Sequence, residues 1–151
     1  MALAGLAACA SESAGAACGP IVRETLDPAY VVHVLGTETD VEYRSDPPTS
    51  GPHLPAPSVE GALEAPLPRP VQVGLLEQGD VLVQYDPAEV SGEDLADLEG
   101  LVADGVVLAP GEDLPAPVVA TAWTAKRQCD AVDLDTLREF VDERAGKGPE
   151  H

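Results

Sequence analysis

The sequence predicts an α+β fold: a small single domain with a mostly antiparallel sheet, two amphipathic helices and a long, ordered, proline-rich loop. Three observations carry this. Strand-like runs come first and are followed by the order strand, helix, strand, strand, helix. Two stretches repeat their apolar residues at helical spacing. Between the first strands and the rest lies a segment too rich in proline for the interior of either element.

Ile21–Leu26 and Tyr30–Leu35 are rich in apolar and β-branched residues and read as strands, with Asp27-Pro28 as the turn between them. Val41–Tyr43 reads as a third short strand. From residue 46 to residue 70 the prolines come so densely that the chain is read as an ordered loop, and a loop of that length in a compact domain tends to be functional. Leu75–Gly79 reads as a tight turn or a single helical turn. Val81–Tyr85 is a strand closed by Asp86-Pro87. Ser91-Gly-Glu-Asp94 has the form of a capping box, and Leu95, Leu98, Leu101 and Val102 follow at helical spacing, so a helix is expected over 92–104, stopped by Gly105. Val106–Ala109 and Val118–Trp123 are strands. Asp133 caps a last helix that carries Leu134, Leu137, Phe140 and Val141 on one face and ends near Gly146.

Composition narrows the function classes. The 151 residues hold 8 Lys and Arg against 27 Asp and Glu, a net charge of −19. Binding nucleic-acid phosphates needs clustered Lys and Arg, so a nucleic-acid partner is not expected. A polybasic membrane patch is excluded on the same ground. The acids of residues 93–99 and 135–143 fall mostly on the outer faces of the two helices, as on an ordinary solvated surface. Apolar residues make up 44% of the chain, enough for a core.

The first residues suggest an address. Leu6-Ala7-Ala8-Cys9 has the form of a bacterial lipobox, in which a Cys is lipidated after cleavage, and a small, polar tether follows it. Eight residues precede Cys9 and none is basic, so residues 1–18 are expected to be a truncated lipoprotein signal and tether, with the domain over 19–151. The expected location is extracytoplasmic, on the outer face of the cell membrane, held by the lipid anchor alone. With Cys9 lipidated, Cys18 and Cys129 remain to pair in an oxidising compartment. Two buried free thiols are the alternative.

The most specific string is Pro47-Pro48-Thr49-Ser50-Gly51-Pro52-His53. With His33-Val34 and Tyr43 before it, Gly61 and Leu76-Glu77-Gln78-Gly79-Asp80-Val81 after it, then Ala120-Thr-Ala-Trp123, Phe140 and Pro149-Glu150, it resembles the domain-of-unknown-function family 3105 over residues 19–150. Members of that family are bacterial proteins held at the membrane by a helix or a lipobox. The resemblance marks Glu77, Gln78, Gly79 and Trp123 as family-motif positions, and it implies no known activity. This chain departs from the family's histidine pattern: Gly74 and Gln78 stand where the family has the His-x-x-x-x-His arrangement, and Gln84 where it often has a His before the Tyr.

Converging imidazoles on a stiff loop suit Cu, Zn or Ni. Here His33 and His53 are left, and a site would need Glu77, Asp80 or water as well. Without a metal, His53 is expected to bond the loop backbone and His33 to pack half-buried on a strand. Ser50 and His53, three residues apart on a proline turn, are poor candidates for a nucleophile and its base; hydroxyls in such turns more often bond their own backbone. The expectation is therefore a non-catalytic binding or scaffolding domain at the cell surface, with the loop 47–53 as its contact region, an unidentified surface partner and no obligatory cofactor. A Cu- or Zn-binding domain using His33, His53 and Glu77 is the alternative.

Overall fold

The computed structural model describes residues 16–37 and 40–149, so Cys9 lies outside the described residues. Five strands form one sheet: β1 (Val22–Arg23), β2 (Val81–Tyr85), β3 (Val106–Pro110), β4 (Val118–Ala122) and β5 (Ala125–Cys129), in the order β1-β5-β4-β2-β3. Only β2 and β3 run parallel. Three helices accompany them: α1 (Arg69–Glu77), α2 (Gly92–Glu99) and α3 (Leu134–Arg144). The class is α+β with a mostly antiparallel sheet. No helix among the described residues is long and apolar enough to cross a membrane.

Alternation along β2 divides the core in two. Val81, Val83 and Tyr85 face one cluster with Leu98 of α2 and Leu137 and Phe140 of α3. Leu82 faces the other, with Val73, Leu75 and Leu76 of α1 and with Trp123. Both faces of the sheet are thus covered, which is why β2 is buried at all five positions.

Several expected elements shift. The run 69–77 is helical: its first residues fall in the stretch expected to be loop, and of the two readings for Leu75–Gly79, a tight turn or a single helical turn, the helical one holds as far as Glu77. Pro70 sits in the first helical turn, where its missing N–H would have had no partner in any case. The strand expected over Tyr30–Leu35 is instead a 3-10 turn at Pro28–Val31, capped by the Asp27 carboxylate on the Ala29 N–H, followed by a single parallel bridge between His33 and His53. Ile21–Leu26 shrinks to Val22–Arg23, and Val41–Tyr43 forms no strand. The helix expected to reach residue 104 ends at Glu99. Its Ser91 makes no side-chain cap bond, whereas Asp133 does cap α3, accepting from the Thr136 N–H at 3.1 Å. β5 was not expected, because Lys126-Arg127-Gln128 looks like a polar surface run. It pairs with β4 through a two-residue turn, Trp123-Thr124, in which Thr124 takes φ 56° without the usual glycine.

A disulfide joins Cys18 and Cys129 across 111 residues and fastens the start of the described chain to β5. Such a bridge belongs to an oxidising, extracytoplasmic environment.

Candidate functional site

The loop 47–53 is mostly buried. Pro47, Pro48, Thr49, Ser50, Gly51 and His53 are all inside, and Pro52 is partly so. Each polar group of the string has work in the interior. The Thr49 hydroxyl donates to Glu24 Oε2, and the Thr124 N–H donates to the Thr49 carbonyl at 3.0 Å. Ser50 Oγ accepts from the Asp27 N–H at 3.0 Å. The Tyr43 hydroxyl donates to the Pro52 carbonyl at 2.8 Å, and burial pushes its pKa up to about 12 against the opposing charge of Arg69. Gly51 has φ 129°, and a Cβ there would stand 3.1 Å from the Tyr43 ring, so both backbone and space require glycine.

Beneath the loop lies an ion pair that the sequence alone does not reveal, between a buried Lys126 and a partly buried Glu24. Lys126 Nζ is 3.1 Å from Glu24 Oε1, and the Ser45 hydroxyl donates to Glu24 Oε2 at 2.7 Å. Burial raises the Glu24 pKa, but the hydroxyls of Thr49 and Ser45 and the Lys126 ammonium outweigh it and hold the carboxyl below its ordinary value. No local signal marks Lys126 as buried, because the next two residues of its polar run, Arg127 and Gln128, are partly and fully exposed.

These anchors deliver one side chain. His53 is fully buried, with its N–H on the Val32 carbonyl at 3.1 Å and its own carbonyl accepting from the Val34 N–H at 2.8 Å. That bridge sets His33 beside it: the two rings meet edge to face, with centroids 5.0 Å apart. His33 itself is exposed, not half-buried on a strand as expected. From the other side, α1 ends at Glu77, whose carboxylate turns in to place Oε2 2.6 Å from His53 Nε2. Ligand atoms of His33, His53 and Glu77 all lie within 4.8 Å of one another.

The ring nitrogens of His53 are not equivalent. Nδ1 lies 3.0 Å from the Gly51 carbonyl, which can only accept, so Nδ1 carries a proton. This is the backbone contact expected of His53. Nε2 faces the carboxylate at 2.6 Å without hydrogen-bond geometry and is left without a hydrogen-bond partner, fully buried. An unprotonated Nε2 and a carboxylate oxygen at that distance repel each other unless a proton lies between them or a cation beside them is bound by both. Protein metal sites commonly hold a ligating His by bonding its other nitrogen to a carbonyl, as Gly51 does here.

The remaining family-motif positions lie elsewhere. Gln78 turns away, its Nε2 donating to the Pro57 carbonyl at 3.1 Å. The Gly79 carbonyl accepts from the Gly146 N–H at 2.8 Å. Trp123 packs edge-on against Tyr30 and accepts at its carbonyl from Arg144. Asp80 is outside the cluster formed by the two histidines and Glu77. Clefts of about 210 Å³ beside Gln72 and Gln84 and about 250 Å³ beside Thr49 and Ser50 are lined by other residues than this cluster.

A family model described as Protein of unknown function (DUF3105) matches residues 33–151, a span that begins at His33 and includes His53 and Glu77. No curated protein and no solved structure gives a significant match to the chain.

Proposed function

The chain belongs to the DUF3105 family of proteins of unknown function, and within it we propose a non-catalytic, extracytoplasmic domain that binds one divalent transition-metal ion, Cu²⁺ or Zn²⁺, through His33, His53 and Glu77. The observation that carries this reading is the buried His53 Nε2, aimed at a carboxylate 2.6 Å away with no hydrogen bond between them. Two imidazoles and a carboxylate are donors that these ions accept. Gly51, Tyr43 and the Glu24–Lys126 pair hold the ring in place from behind. On this reading the proline-rich string is the scaffold of the site, and the outer contact is made at the exposed His33.

The test is a calorimetric titration of the full chain with Cu²⁺, Zn²⁺ and Ni²⁺. One equivalent of Cu²⁺ or Zn²⁺ is expected to bind with a dissociation constant of about 1 μM or below, and His53→Ala to weaken binding by about a hundredfold or more. Equal binding by the wild type and the variant, or none by either, overturns the reading. A partner-binding surface then takes its place, favoured by the exposure of Val31 (66%), Val32 (47%) and Leu35 (96%) around His33.

The proposal includes a lipid on Cys9, supported by the lipobox form of Leu6–Cys9 and by a disulfide that suits an exported chain. Labelling of the expressed protein with a fatty-acid analogue is expected to vanish in Cys9→Ala; persistent label would refute the anchor.

A further inference from the structure

We infer that the site discriminates copper by oxidation state, holding Cu²⁺ and releasing the ion on one-electron reduction; this rests on the metal reading above. The donors are two imidazole nitrogens and one carboxylate oxygen. Thiolates and thioethers are the ligands that select Cu⁺, and carboxylates favour the harder ion. The sulfurs of Cys18 and Cys129 are locked together in the disulfide within the α2/α3-side core cluster, so among the described residues no thiolate is on offer.

The placement of Glu77 sharpens the preference. Two imidazoles alone can hold a cuprous ion in line between them. Here the carboxylate oxygen stands 2.6 Å from one of the two nitrogens, so any ion in the site keeps a hard anionic donor beside it. Glu77 is only 8% exposed. Its attraction for an ion is poorly screened there and scales with the ion's charge, so losing one positive charge costs binding directly. His53 cannot compensate by rotating, because Nδ1 is engaged with Gly51. The exposed His33 gives the ion a way out that needs no unfolding.

The redox step is simple. A small external one-electron reductant of the ascorbate class gives one electron to the bound Cu²⁺, leaving Cu⁺ and the oxidised reductant radical. No bond in the protein is made or broken other than those to the ion.

The test compares two affinities of the full chain: Cu²⁺ in competition with nitrilotriacetate, and Cu⁺, kept reduced by ascorbate without oxygen, in competition with bicinchoninate. Cu²⁺ is expected to bind at least tenfold more tightly, and each tenfold places the bound couple about 59 mV below the free one. Glu77→Gln, which keeps the shape and removes the charge, is expected to shrink the ratio. Equal or tighter binding of Cu⁺, or an unchanged ratio in Glu77→Gln, overturns the inference and leaves the metal reading standing. Failure of the wild type to bind Cu²⁺, Cu⁺ or Zn²⁺ overturns both.

Discussion

Removing the Cys18–Cys129 bridge, as the double variant Cys18→Ala, Cys129→Ala, is expected to lower the unfolding free energy by about 4–5 kcal/mol in urea titrations. The bridge spans 111 residues, and a cross-link that closes a loop of this length removes much freedom from the unfolded chain. Both cysteines are buried and alanine nearly fills the space, so little of the loss should come from packing. The native structure has a local stake as well. β1 is only two residues long and sits at the sheet edge against β5, and the bridge fastens the chain just ahead of it to the end of β5. Amide exchange in residues 18–24 should therefore rise more than in β2 or β4. A loss below about 1 kcal/mol would show that the bridge does little to constrain the unfolded chain.

Gly74→Ala is expected to destabilise the domain by about 2–3 kcal/mol, against the sign that helix propensity alone gives. Glycine within a helix costs about 1 kcal/mol relative to alanine, so on an isolated α1 the change would help. At this position, however, a Cβ would fall 2.2 Å from the Leu54 carbonyl oxygen and 2.9 Å from the Pro57 ring. The oxygen belongs to backbone and has no rotamer to change, so either α1 or the loop must move. Leu54 follows His53 directly, and its N–H donates to the Pro70 carbonyl at the start of α1. The same displacement should disturb the His53–Glu77 contact, and copper affinity should fall by about tenfold or more alongside the melting temperature. A variant that melts at or above the wild-type temperature would show that loop and helix are not seated on each other as described.

The sequence made some of this legible and hid the rest for identifiable reasons. The elements read correctly were those whose signal is local: the apolar run of β2, the Asp133 cap of α3, the helical spacing of Leu95 and Leu98. The start of α1 was hidden because proline at a helix start looks the same as proline in a loop, and only its last turn, from Leu75, was offered as one reading. β5 was lost because its polar residues pair with a buried strand, and Lys126 finds its partner a hundred residues upstream in Glu24. The three donors could be named, since His33 and His53 are two of the chain's three histidines and Glu77 lies in a recognisable motif. Their meeting could not be read. It depends on a bridge between segments 20 residues apart and on a helix whose last residue faces back towards them. The glycine at 74 gave no local hint either, because its constraint is imposed by Leu54 and Pro57.

The division of the core across β2 bears on how this chain can change its length. Val81, Val83 and Tyr85 serve one cluster, and Leu82 serves the other, with Gln84 beside it against Gln72. One inserted or deleted residue in this strand would exchange the two sets, carrying the Gln84 amide into the side packed by α2 and α3 and turning three apolar side chains into the space shaped for Leu82 and Gln84 against α1. Substitutions in β2 are open to repair by neighbours, while frame changes are not. The exposed stretch 64–66, ahead of α1, carries no such parity. Natural variation in length should therefore collect there and leave the five residues of β2 in step.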